Sequence, residues 1–85
     1  MKQFSYIIKD ELGIHARPAG LLAKEAKPFT SRITLRNGNL TAEATKVFML
    51  MSLGVKKNDE ITVTAEGEDE EAAITAMRSF LEKSL

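Results

Sequence analysis

The 85-residue chain contains no cysteine and only one histidine. Without thiols there can be no disulfide and no thiolate metal site, and a reducing compartment is expected. No second histidine is present to complete a metal centre with His15. Neither sign of charge is in excess: twelve Lys and Arg balance twelve Asp and Glu. That balance argues against a dedicated nucleic-acid binder, which usually carries a basic surplus. Long apolar runs are also missing. Lys2 and Lys9 interrupt the opening MKQFSYIIKDE, which therefore reads as neither a signal peptide nor a membrane anchor. A cytoplasmic protein without direct membrane insertion is expected. There is no Walker loop, and no Ser-His-Asp set with a nucleophile elbow. No cofactor is expected, and an independent catalyst is disfavoured.

What is present is enough apolar material, 44% of residues, for one small core. A single domain spanning residues 1–85 is expected. Phe4, Tyr6 and Ile8 share one parity and predict a strand over Gln3 to Ile8. Ala16 to Lys27 reads as a helix with an apolar stripe of Ala19, Leu22, Ala23 and Ala26, ended by Pro28. Leu21 lies off that stripe. Ile33 and Leu35 alternate within Arg32 to Arg36, and Asn37-Gly38 signals a hairpin. Leu40, Ala42 and Ala44 then predict an inward-facing set on the second hairpin strand. Val47 to Leu53 is apolar, and its Met, Leu and following Gly54 favour a short helix. Two turns of helix cannot bury every apolar side chain there, so some must be exposed. Ile61, Val63 and Ala65 predict a fourth strand. Asp69 is placed as the N-cap of a last helix, which carries Ala73, Ile74, Met77, Phe80 and Leu81 to about Glu82. The order β-α-β-β-α-β-α implies an α+β fold with one sheet face covered by helices.

The single imidazole sits in GIHARPAG, between Gly13 and the start of the first helix. A lone surface histidine is usually a solvated group, and a short H-x-R-P match is weak alone. The context strengthens it. Orphan N–H groups at Ala16 and Arg17, together with the helix dipole, favour an anion. Arg17 adds a charged donor fork suited to phosphate. An imidazole nitrogen attacking a phosphoryl group would leave negative charge where these groups stabilise it. Phosphoryl transfer needs mainly positioning and electrostatics, so a small site suffices when a partner supplies the rest.

GIHARPAG, the later MSLG at Met51 to Gly54, and ITVTAEGEDEEAA at Ile61 to Ala73 resemble the histidine-containing phosphocarrier family, HPr, of the bacterial sugar phosphotransferase system. The resemblance spans essentially the whole chain. It implies an open-faced β-sandwich, with a four-stranded antiparallel sheet in the order 1-4-2-3 and helices on one face. It implies that His15 accepts phosphate at Nδ1 from phosphorylated enzyme I and passes it to sugar-specific enzyme IIA proteins, with Arg17 and Ala16 at the phosphate. The implied partner surface comprises Ala16, Leu21, Lys24 and Lys27 of the first helix, and Val47, Phe48 and Met51 of the second. Leu50 is assigned to the core instead.

One departure stands out. Many Gram-positive members carry a regulatory serine just before the second helix, where this chain has Lys46. The serine switch is therefore expected to be absent. A monomer is expected. Two other readings keep the fold: a regulatory module that controls other proteins, and a nitrogen-branch phosphotransfer protein feeding no sugar transporter. Loss of the histidine would favour the regulatory module, and His15 is present.

Overall fold

Parity in the strands decides which residues meet the helices. In the computed structural model, which describes residues 1–85, seven elements follow in the order β1 (Lys2–Ile7), α1 (Ala16–Ala26), β2 (Arg32–Asn37), β3 (Leu40–Glu43), α2 (Val47–Ser52), β4 (Glu60–Glu66) and α3 (Glu70–Ser84). The strands form one sheet in the order β1-β4-β2-β3. All neighbours are antiparallel, with Phe4 opposite Val63, Leu35 opposite Val63 across the other edge of β4, and Leu35 opposite Ala42. The alternating apolar residues Ile33, Leu35, Ile61, Val63 and Ala65 are buried with Phe4 and Ile8 against Leu22, Ala26, Leu50, Met77 and Leu81 of the helices. The opposite face is polar, and Ser5 and Thr62 pair across it with hydroxyl oxygens 3.4 Å apart. No helix is long and apolar enough to cross a membrane.

The expected boundaries shift by a residue or two. The first strand ends at Ile7, but Ile8 remains buried, and its N–H donates to the Asp59 carbonyl at 2.9 Å. The first helix ends at Ala26, with Lys27 as its C-cap. The last helix runs two residues past Glu82, to Ser84.

Three details differ from expectation in more than boundaries. The expected hairpin joins β2 and β3, but Asn37 pairs with Leu40, so its two-residue loop is Gly38-Asn39. Gly38 takes φ 63°, the left-handed value that a glycine at the first loop position accepts without strain. Asn37 has other work: its Nδ2 donates to the Leu53 carbonyl at 3.0 Å, tying the hairpin to the end of α2. Leu40, next to the hairpin loop, does not join the core but is 55% exposed.

Asp69 stands at the N-cap of α3 as expected, yet its side chain makes no capping hydrogen bond to that helix. Its carboxylate reaches across the fold instead. It accepts the N–H of Thr30 and of Ser31, each at 2.9 Å, and the Ser31 hydroxyl as well. The loop after α1 is thereby fastened to the start of α3. The Ser31 hydroxyl is the main cause that lowers the Asp69 pKa below 3.8, followed by the Thr30 N–H. A carboxyl whose pKa is lowered on folding stabilises the fold above its unfolded value, and that contribution is lost as pH falls through the folded value. Asp69→Asn should therefore lower the Tm at neutral pH and weaken the dependence of Tm on pH below about pH 4. Thermal melts of both proteins across that range test this. An unchanged acid profile would show that the Ser31 clamp contributes nothing to pH-dependent stability.

Candidate functional site

Asp10 to Gly13 is a turn whose only job on the sequence side is to deliver the chain to α1. The Gly13 N–H donates to the Asp10 carbonyl at 3.0 Å, and the Leu12 N–H donates to Asp10 Oδ1 at 2.8 Å. Gly13 has φ 66°, and a Cβ there would lie 2.1 Å from the Val55 carbonyl oxygen. Only glycine satisfies both the conformation and the contact. The next residue, Ile14, is buried and donates its N–H to the same Val55 carbonyl at 3.3 Å. His15 follows as the N-cap of α1, half-buried and extended at φ −109°, ψ −173°.

The head of α1 is left unsatisfied. His15 offers no side-chain cap, and the first turn holds no acidic residue. The first helical bond there is Ala19 N–H to the His15 carbonyl, at 3.0 Å. The N–H groups of Ala16 and Arg17 thus have no acceptor within the chain, and Pro18 has no N–H to leave orphaned. Both Ala16 and Arg17 are exposed. Beside them lies a shallow cavity of 290 Å³ lined by Asp10, His15, Arg17, Pro18, Leu21 and Ser84. His15 and Arg17 line that cavity, and the free amides of Ala16 and Arg17 lie at the same helix head, a combination of groups that favours an anion.

A matching chemistry is known from relatives. The family model described as "PTS HPr component phosphorylation site" matches residues 2–83. The chain belongs to the HPr family. It is 46% identical over 85 residues to the phosphocarrier protein HPr of Mycoplasma genitalium, covering 99% of this chain and 97% of that protein. Among solved structures it is similar to a Mycoplasma histidine-containing phosphocarrier protein, with a TM-score of 0.95, 37% identity, and coverage of 98% and 94% of the two chains. It is also similar to HPr from Thermoanaerobacter tengcongensis, with a TM-score of 0.92, 38% identity, and coverage of 98% and 93%. As an HPr, the chain is a phosphocarrier of the phosphotransferase system, with the open-faced sandwich and strand order of that family.

The remaining expected site residues spread over α1 and α2. Leu21 is 46% exposed and belongs to the cavity, while Lys24 and Lys27 are exposed further along the helix. On α2 the apolar residues divide as two turns require. Phe48 is 83% exposed and Met49 41%, Leu50 is fully buried, and Val47 and Met51 are half-buried against the core. Arg17, Lys24, Lys27 and Lys46 make no ion pair within the chain, whose three ion pairs involve other groups. Sequence reasoning missed Asp10, although an Asp three residues before a glycine is a turn signature. It missed Ser84 for want of any local signal, since α3 brings that residue to the cavity from the other end of the chain.

Gly13→Ala tests how the site is held. The left-handed φ costs on the order of 1–3 kcal/mol for a side-chain residue, and displacing the Val55 carbonyl adds to it. A loss of about 2–4 kcal/mol in unfolding free energy is expected, read by urea denaturation. A loss below about 1 kcal/mol would mean that the turn relaxes without strain.

Proposed function

We propose that His15 carries the phosphoryl group, accepting it from phosphorylated enzyme I and delivering it to sugar-specific enzyme IIA proteins. The observation that carries this reading is the uncapped head of α1, with the imidazole at the N-cap itself. In the transfer, a lone pair on the Nδ1 nitrogen attacks phosphorus, an N–P bond forms, and the phosphorus bond to the donor breaks. The Ala16 and Arg17 N–H groups and the Arg17 guanidinium take up the charge on the phosphoryl oxygens. Nothing else in the chain would be altered, so the protein acts stoichiometrically and its partners supply the remaining catalytic groups. It works in the cytoplasm as a single domain and a monomer.

Incubation with enzyme I and phosphoenolpyruvate, followed by intact mass, tests the reading. One phosphoryl group should be added, labile in acid and stable in alkali, and His15→Ala should abolish it. An acid-stable adduct would contradict the proposal. Arg17→Ala should leave the fold intact and slow transfer roughly ten- to a hundredfold, matching a charged hydrogen bond of about 1.5–3 kcal/mol.

The exposed part of α2 and the unpaired cations form the surface that partners meet. Phe48 and Met49 with Leu21, half-buried Val47 and Met51, and Ala16 supply apolar contact, rimmed by Lys24 and Lys27. Such a surface fits an acidic-rimmed apolar partner. Lys46 is exposed at the N-cap of α2 and has no hydroxyl, so a serine switch at this position does not operate here. Phe48→Glu should weaken enzyme I binding by about tenfold or more, as loss of an apolar anchor does, and change stability by about 0.5 kcal/mol or less. Leu50→Ala should behave in the opposite sense, costing about 2–5 kcal/mol of stability. Titration with enzyme I alongside thermal melting checks both, and a melting collapse in the Phe48 variant with binding preserved would move the surface elsewhere.

A further inference from the structure

The His15 imidazole makes no hydrogen bond within the chain, so its position is set by the backbone that delivers it. Beside the Gly13 and Ile14 contacts with the Val55 carbonyl, that backbone is tethered through Asp10. The Asp10 N–H donates to the Leu85 carbonyl oxygen at 2.9 Å, and the Asp10 carbonyl accepts the Gly13 N–H at 3.0 Å. Asp10 Oδ1 accepts the Leu12 N–H at 2.8 Å. Glu11 and Leu12, between these bonds, are exposed, and apart from a surface ion pair of Glu11 with Lys57 at 3.1 Å no side-chain contact of their own holds them. Asp10 also lines the cavity that contains His15 and Arg17. A carboxylate beside an incoming phosphoryl group is electrostatically unfavourable, so its place there calls for a compensating role. An Asp side chain that accepts the N–H two residues on closes an Asx-turn, and an Asn oxygen can do the same.

We propose that Asp10 is a positioning residue for phosphoryl transfer, holding the turn at Leu12 and Gly13 so that His15 stands at the head of α1. The proposal rests on the phosphocarrier reading of His15. What Asp10 supplies is an acceptor oxygen rather than charge. Asp10→Asn keeps the turn, removes the repulsion, and should transfer at least as fast as the native chain. Asp10→Ala loses the turn and should transfer about tenfold more slowly, in line with the cost of misplacing a reacting group. Asp10→Ser, whose hydroxyl makes the same turn more weakly, should fall between them, and it covers the case in which the alanine variant does not fold.

The experiment measures the single-turnover rate of phosphorylation at saturating phosphorylated enzyme I, together with amide hydrogen exchange at Leu12 and Gly13. Rates should fall in the order Asn, Ser, Ala, and exchange at both amides should quicken in that same order. The Asn variant separates positioning from charge, and the saturating rate separates positioning from partner binding. A native rate in the alanine variant, a serine variant as fast as the asparagine one, or equal losses in Asn and Ala, would overturn the proposal. Unchanged exchange in the serine variant would overturn it too. If the native chain itself took up no phosphate, the phosphocarrier reading would be what failed, and the exchange order would still decide whether Asp10 holds the turn.

Discussion

The approach of Gly13 to the Val55 carbonyl is the contact on which the geometry of this molecule turns. It joins the segment that delivers His15 to the segment that follows α2, two stretches some forty residues apart in sequence. One carbonyl oxygen both leaves no room for a side chain at Gly13 and accepts the Ile14 N–H. The head of α1 and the exposed side chains of α2 are consequently held on one rigid frame. Under the proposed function, in which His15 and the exposed side chains of α2 are presented to successive partners, that fixed relation would orient a small site.

Local rules are broken at the heads of α1 and α2. The head of α1 has neither a capping side chain nor an acid in its first turn, although either would stabilise it. Lys46 places a cation at the start of α2, against the helix dipole. Phe48 stands in solvent while Leu50, two residues on, is fully buried. By contrast α3 carries Glu70 and Glu71 in its first turn and Lys83 in its last, as the dipole prefers. Such departures are expected to gather at functional positions, because stability there yields to the needs of binding.

Much of this architecture was legible in the residues because it depends on short-range periodicity. Alternation in Ile33-Leu35 and Ile61-Val63-Ala65 fixes strand faces, and the Ala19-Leu22-Ala23-Ala26 stripe fixes the buried side of α1. The surplus of apolar side chains over available positions on α2 foretold that some would be exposed, and the family resemblance pointed to Phe48, which is exposed. The same reasoning failed where long-range geometry competes with local chemistry. Asp69 has the identity and place of an N-cap, but Thr30 and Ser31 offer it three donors at once, and the tertiary partners win. Asn37-Gly38 has the composition of a hairpin loop, yet pairing of Asn37 with Leu40 slides the loop one residue onward. Ser84 reaches the cavity only through the folding of α3 back to the loop before α1. The family resemblance covered the strand order, which alternation alone does not determine.

The central claim is that the amides of Ala16 and Arg17 receive the phosphoryl group carried by His15. Comparing the ¹H–¹⁵N spectra of the free and phosphorylated protein tests it most directly. The amide protons of Ala16 and Arg17 should move strongly downfield on phosphorylation, as charge-assisted hydrogen bonds form, while the amides of the distant Gly38-Asn39 loop stay in place. Phosphorylation of His15 that left both helix-head amides unshifted would contradict the account.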